Sequence, residues 1–236
     1  MVTVAGKGGI LEGQMEKQLG IVFTGGEGPQ PQIIRRIIDG LPVGKAVPLL
    51  VAADSGLMLA EAAGFRPDWI IGDMDSLDSE SRLNSYPAES IIRHAADKDY
   101  TDTELACSLL WEKGCADVWI IGGGGGRIDH LFGIRDLFER DRFPNRWITA
   151  AEDICCIEGG KNIAMAVEQD GIVSVFPLGG GPWQAESAGL KWSLDVVRWE
   201  RGLYGLSNVA VASKIEVSVR QGRFMIIREL LWQQYQ

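Results

Sequence analysis

Three short acidic segments carry the residues best suited to chemistry. They are Asp54 within Ala-Asp-Ser-Gly, Asp73 and Asp75 within Gly-Asp-Met-Asp-Ser, and Asp97, Asp99 and Asp102 within Asp-Lys-Asp-Tyr-Thr-Asp. Carboxylates at i and i+2 point the same way on extended backbone. Two such charges repel, and unless a cation or strong hydrogen bonds compensate, one of them keeps its proton. The Asp73/Asp75 spacing therefore favours a hard divalent cation such as Mg2+, which takes oxygen ligands. Thr101 and Glu104 form a capping-box pattern that starts a helix at Asp102. A helix N-terminus also attracts anions, so the same point suits a phosphate. Capping alone accounts for Thr101 and Glu104, and equally for Asp54 before its own helix. It leaves the density of Asp97, Asp99 and Asp102 unexplained.

A fourth segment runs from Gly122 through Gly125 and Gly126 into Arg127-Ile128-Asp129-His130. Glycine lets backbone approach a phosphate closely. The run lacks the Gly-Lys-Ser/Thr of a phosphate-binding P-loop, and Arg127 interrupts the register of a dinucleotide fingerprint. Arg127 suits bidentate contact with phosphate oxygens, and Asp129 can orient it or His130. A plain Arg127–Asp129 ion pair is the simpler alternative. With only two histidines, His94 and His130, a multi-histidine metal centre is excluded. The four cysteines have neither CxxC nor zinc spacing and read as structural thiols.

These segments need a scaffold, and the hydrophobic pattern supplies one. Apolar runs at 21–24, 48–53, 69–71, 90–93 and 118–121 read as buried strands, separated by helix candidates at 56–63, 102–113 and 128–140. That alternation predicts a mostly parallel sheet flanked by helices on both faces. In an open parallel sheet, loops after the strands gather at the carboxyl edge, where ligands bind. From about residue 153 the pattern changes to glycine-punctuated β runs at 172–176, 215–219 and 224–228, which predict an antiparallel β-sandwich or small barrel. The expected division is an extension over 1–20, an α/β domain over 21–152, and a β-rich domain over 153–236.

Composition narrows the field further. At 236 residues, 46% hydrophobic and 23% charged, the chain is globular, not disordered. A formal net charge of −9 argues against a surface built for nucleic acid or anionic lipid. No run reaches the roughly 20 apolar residues of a membrane span. The first twenty residues lack the apolar stretch of a secretory signal, so a cytoplasmic location is expected.

Taken in order, Ala-Asp-Ser-Gly, Gly-Asp-Met-Asp-Ser, Asp-Lys-Asp-Tyr-Thr-Asp and Gly-Gly-Arg-Ile-Asp-His resemble the motifs of the thiamine pyrophosphokinase family. The similarity continues through Gly-Leu-Lys-Trp-Ser-Leu at 189–194 and Ser207-Asn208, and spans about 21–232. The resemblance implies transfer of the pyrophosphoryl group of ATP to the thiamine hydroxyl, giving thiamine diphosphate and AMP. It implies that Asp73, Asp75 and Asp102 hold Mg2+ and polyphosphate, with Arg127 assisting catalysis. Asp54, Thr101, Gly125, Gly126, Arg127, Asp129 and His130 would serve the nucleotide, and Trp192, Ser207 and Asn208 the thiamine. It also implies a homodimer with active sites where the subunits meet. Two departures stand out: Ser55 replaces a usual glycine, and Lys98 replaces a usual glutamine. Ser55 raises the expectation of altered backbone angles in its loop. The competing readings are another metal-dependent nucleotide transferase or phosphohydrolase, and a nucleotide or thiamine sensor without turnover.

Overall fold

The computed structural model describes residues 18–42, 47–95, 97 and 99–231. Most of the expected extension, together with Lys98 and Trp232, lies outside them. The element order is β1 (Leu19–Thr24), α1 (Pro31–Asp39), β2 (Leu49–Ala53), α2 (Gly56–Ala62), β3 (Trp69–Gly72), β4 (Ile91–Arg93), α3 (Asp102–Glu112), β5 (Asp117–Gly122), α4 (Ile128–Leu137), β6 (Arg146–Ile148), β7 (Glu152–Glu158), β8 (Asn162–Ala166), β9 (Ile172–Leu178), β10 (Gln184–Ala188), β11 (Gly205–Val209), β12 (Lys214–Gln221) and β13 (Arg223–Glu229).

Strands β6-β5-β1-β2-β3-β4 pair in parallel, so the loops that follow them share one edge. Their side chains alternate between two apolar faces. Ile21, Phe23, Leu50 and Ile121 meet Ile33, Ile34, Ile37 and Ile38 of α1 and Ala60 of α2. Val22, Val51, Ile71 and Ile120 meet Ala106, Cys107 and Leu110 of α3 and Ile134 and Leu137 of α4. The helices therefore cover both faces, as the alternation of elements requires. Burial raises the pKa of the Cys107 thiol and pushes those of Cys155 and Cys156 up to about 12, so these thiols stay neutral.

The sequence pattern does not single out α1 or the strands β6, β7, β8, β10 and β11, and it makes α4 longer than it is. Helix α1 was not expected, although Pro31 in its first turn and four isoleucines along one face explain it. Helix α4 ends at Leu137, three residues short of the expected stretch.

The sheet does not stop where the β-rich half begins. Strand β7 pairs antiparallel with β6, and β13, β9 and β11 follow, giving one ten-stranded sheet. A second sheet, β10-β12-β8, packs on the far strands to make a sandwich. Val173, Val175, Phe224 and Ile226 interlock there with Ile215, Val217 and Val219.

At the change from parallel to antiparallel pairing sits Asp153, fully buried. Arg146 on β6 grips it with Nε–Oδ1 at 2.7 Å and a second nitrogen–Oδ2 contact at 2.9 Å. Arg228 on β13 also donates to Oδ2, and reaches the Ala166 carbonyl on β8 at 2.6 Å. One carboxylate thus ties together β6, β7, β13 and, through Arg228, the second sheet. Removing the carboxylate from such a node takes the charge partner from the buried Arg228 and the partly buried Arg146. Asp153→Ala is expected to lower unfolding stability by about 3 kcal/mol, measured by urea denaturation.

Candidate active site

Asp54 ends the loop after β2, and Asp73 and Asp75 follow β3. One carboxylate oxygen from each lies within 4.8 Å of the others. Residues far apart in sequence therefore converge at the carboxyl edge. Asp102 joins them through the glycine at the end of β3. Gly72 has φ +149°, and a Cβ there would lie 3.2 Å from Asp54 Cβ and 3.3 Å from Asp102 Cγ. Only a residue without a side chain lets both aspartates approach this strand end.

The backbone of this cluster is held under constraint. Asp54 has φ +46° and Met74 has φ +68°, a region disfavoured for side chains with a Cβ. The Asp73–Asp75 pair is thus not on extended backbone as the spacing suggests. Met74 turns inward instead, only 2% exposed, and packs with Leu57, Leu83 and Tyr86. Its burial offsets the strained angle and fixes the two carboxylates on either side. The Asp75 N–H donates to Asp73 Oδ1 at 3.2 Å, and the Ser76 hydroxyl donates to Asp75 Oδ1 at 3.0 Å. Sequence reasoning missed Met74; the signal was a large apolar residue between two acids in a polar loop.

Ser55 adopts ordinary helical angles, φ −59° and ψ −10°, so the expected distortion falls on Asp54 instead. The Ser55 hydroxyl occupies the space where a Cβ on Gly25 would stand. A glycine on the neighbouring loop thus accommodates the serine.

Burial raises the pKa of Asp54 above the usual carboxylate range, and the charges of Asp102 and Asp73 add to the effect. Hydrogen bonds from Ser76 and the Ser55 backbone pull it partly back. Asp54 Oδ1 is buried and has no hydrogen-bond partner among the described residues. A carboxylate oxygen so placed, beside two more carboxylates, fits a hard divalent cation. Asp54, Asp73 and Asp75 form the convergent set, with Asp102 adjoining.

The next positions along the edge belong to the nucleotide candidates. Thr101 caps α3 by accepting from the Glu104 N–H at 3.3 Å, as the capping pattern predicts. The Glu104 side chain pairs with Arg140, beyond the end of α4. Thr103 in the same turn bonds Thr24 at the end of β1, 2.6 Å between hydroxyl oxygens. The glycine run crosses back over β1: the Glu27 N–H donates to the Gly124 carbonyl at 2.6 Å and the Gly124 N–H to the Glu27 carbonyl at 2.9 Å. Gly125 and Gly126 both take positive φ. Arg127 precedes α4 and is largely exposed, its guanidinium bidentate on Asp129 at 3.1 and 2.5 Å. Asp129 also accepts from the His130 N–H at 3.1 Å. The hydrogen bond from Arg127 lowers the pKa of Asp129, so this pair is charged and open to solvent.

Trp192, Ser207 and Asn208 lie elsewhere. Ser207 and Asn208 are on edge strand β11, where the register shifts and Ser207 takes φ +54°. Asn208 is buried and clamps Trp192: its Oδ1 accepts from the Trp192 N–H at 3.1 Å and its Nδ2 donates to the Trp192 carbonyl at 2.6 Å. The indole of Trp192 is half exposed, with the Lys191 ammonium 4.7 Å from its ring centroid. Seven strand-to-strand steps separate β11 from β2. At about 4.8 Å per step, that places this group roughly 30 Å from the acidic cluster within one chain.

Residues 43–150 match the family described as thiamin pyrophosphokinase, catalytic domain. A thiamine pyrophosphokinase from Bacillus subtilis (strain 168) is 27% identical over 185 residues, covering 76% of this chain and 86% of that protein. Among solved structures, thiamin pyrophosphokinase from Geobacillus thermodenitrificans has a TM-score of 0.66 at 26% identity, covering 91% of this chain and 98% of that one. The Bacillus subtilis structure gives 0.70 at 22% identity, covering 91% and 100%, and thereby shares the fold. These similarities are to enzymes of the diphosphotransferase class, and here they fall on a sheet edge that gathers acidic loops. Residues 43–150, just under half of the chain, carry the similarity to the thiamin pyrophosphokinase family.

The raised pKa of Asp54 has a sign that can be tested. Above the carboxyl pKa of the unfolded chain, about 3.9, its ionisation costs the folded state stability as pH rises. Asp54→Asn is therefore expected to melt a few degrees above wild type at pH 7 without divalent cations, with the gap closing below about pH 4. Differential scanning calorimetry across pH checks both.

Proposed function

We propose that this chain performs the thiamin pyrophosphokinase reaction, with the acidic edge as the polyphosphate end of the site. The acceptor hydroxyl of thiamine attacks the β-phosphorus of ATP, an O–P bond forms, the bond to the α-phosphate oxygen breaks, and AMP leaves. Transfers of this kind need alignment of nucleophile and leaving group together with stabilisation of charge. Asp54, Asp73 and Asp75, with Asp102 adjoining, would hold Mg2+, which when bound supplies positive charge to the phosphate oxygens. The exposed Arg127 guanidinium can exchange its Asp129 partner for a phosphate, while Thr101, Gly125, Gly126 and His130 border the nucleotide. Asp73 and Asp102 are both candidates to accept the hydroxyl proton. The observation that carries this reading is the convergence of carboxylates from separate loops around a buried oxygen of Asp54 that lacks a partner.

The acceptor end supports a homodimer. Trp192, Ser207 and Asn208 cannot meet the acidic cluster across roughly 30 Å of sheet, whereas a second copy can bring its own set to it. The half-exposed Trp192 face suits a cationic aromatic ring. Exposed Val196, Leu203, Tyr204 and Leu206 on the β half, and Ile128 and Phe132 on α4, provide apolar surface for such an interface. Among the described residues no helix is long and apolar enough to cross a membrane.

Two measurements test the reading. AMP release from ATP should require both thiamine and Mg2+, and Asp73→Asn should lower its rate at least about 100-fold; release independent of thiamine would favour a phosphohydrolase. Mixing Asp73→Asn with Trp192→Ala subunits under conditions of exchange should restore about a quarter of wild-type activity, because half the dimers are mixed and each mixed dimer has one intact site. No recovery, with sedimentation showing exchange, counts against a shared site.

A further inference from the structure

The loop carrying Asp73 and Asp75 runs from β3 to a 3-10 segment at Glu80–Ser85. Arg82 in that segment makes three contacts. Its Nε lies 2.5 Å from Asp78 Oδ1, a second nitrogen lies 2.6 Å from Asp78 Oδ2, and the third lies 2.5 Å from Glu61 Oε2. Glu61 stands near the end of α2, the helix that begins two residues after Asp54. The remaining Glu61 oxygen accepts from the Tyr86 hydroxyl at 3.1 Å. The Arg66 guanidinium covers the Tyr86 ring at 4.5 Å and donates to the Ser85 carbonyl. Beneath this polar layer lies the cluster of Met74, Leu57, Leu83 and Tyr86.

The arrangement adds a side-chain tie between two loops that already meet at their base, where the Asp54 N–H donates to the Ile71 carbonyl at 2.9 Å, and through a hydrogen bond from Ser76 to Asp54. The first carries Asp54 and the second Asp73 and Asp75. We propose that Arg82, bridging Asp78 and Glu61, is a positioning residue that sets the Asp73/Asp75 loop against the Asp54 loop at the spacing a divalent cation requires. This inference rests on the assignment of Asp54, Asp73 and Asp75 as cation ligands. Its physical basis is geometric. A planar guanidinium with carboxylates on two edges fixes direction as well as distance, which a lysine ammonium does not. Arg82 and Glu61 are partly exposed, with side chains 35% and 26% accessible, so the ion pair itself contributes little to global stability. Its effect belongs to the cation. Bringing carboxylates together without a cation costs repulsion, and a loop free to relax would separate them. Groups that orient metal ligands without touching the metal typically change its affinity 10- to 100-fold when removed.

The test uses the full chain and Mn2+ as a spectroscopic probe. Mn2+ binding is titrated by electron paramagnetic resonance for wild type, Arg82→Gln, Arg82→Lys and Glu61→Gln, alongside melting curves without metal. The expected result is Mn2+ affinity weakened about tenfold in all three variants, including the lysine, with melting temperatures within about 2 °C of wild type. In turnover assays, the Mg2+ concentration for half-maximal rate should rise by a similar factor while kcat at saturating Mg2+ changes less than about twofold. Wild-type Mn2+ affinity in Arg82→Gln overturns the positioning role, as does full rescue by Arg82→Lys. If Arg82→Gln proves unstable, Glu61→Gln decides the matter in its place, since wild-type affinity there overturns the role equally. Wild-type protein that binds no Mn2+ overturns the ligand assignment itself and the positioning role with it, an outcome separate from unchanged variants of a binding wild type.

Discussion

Like charges brought to within a few ångströms of each other push apart, and much of the N-terminal half is organised to resist that push. Asp54, Asp73 and Asp75 come from loops after two different strands, with Asp102 beside them at a helix start. Parallel pairing puts the loops on one edge, but the edge alone does not set the last few ångströms. Those depend on Gly72, which leaves room for two side chains, on Met74, buried between the two acids it separates, and on the Arg82 bridge above it. Two residues of this cluster carry positive φ. Strain of that kind, about 1–3 kcal/mol per residue, persists where surrounding packing over-determines it.

The same logic separates the chemistry into two ends. On the proposed reading, charge neutralisation falls to the sheet edge and the aromatic cation to the β half, where Asn208 spends its polar atoms on holding Trp192. A cleft of about 1130 Å³, walled by Trp147, Phe176 and Tyr204, opens between α4 and the β half.

Apart from α1 and β6, the strands and helices of the first half were readable because buried parallel strands are continuous apolar runs and because Thr101 and the glycines punctuate them. The acidic loops were readable as chemistry for the same reason that they are expensive: nothing in a simple turn requires so many carboxylates. Three features were hidden. Met74 looked like the spacer of an Asp-x-Asp pair, and its burial depends on α2 and the segment after it. Ser55 looked like the strained residue, yet tertiary packing moved the left-handed angle onto Asp54 and let Gly25 absorb the hydroxyl. The pairing of β6 with β7 joins the halves into one sheet, and such a register between short strands leaves no local mark in the sequence.

That joined sheet has a mechanical consequence. In many two-part enzymes a flexible connector lets one part swing over the other to shut out water. Here a swing of that sort would have to unzip the β6–β7 ladder and pull Arg146 and Arg228 off Asp153. The board is stiff from end to end, so admission of substrate and escape of product fall to the loops at its rim and to whatever lies across its open face.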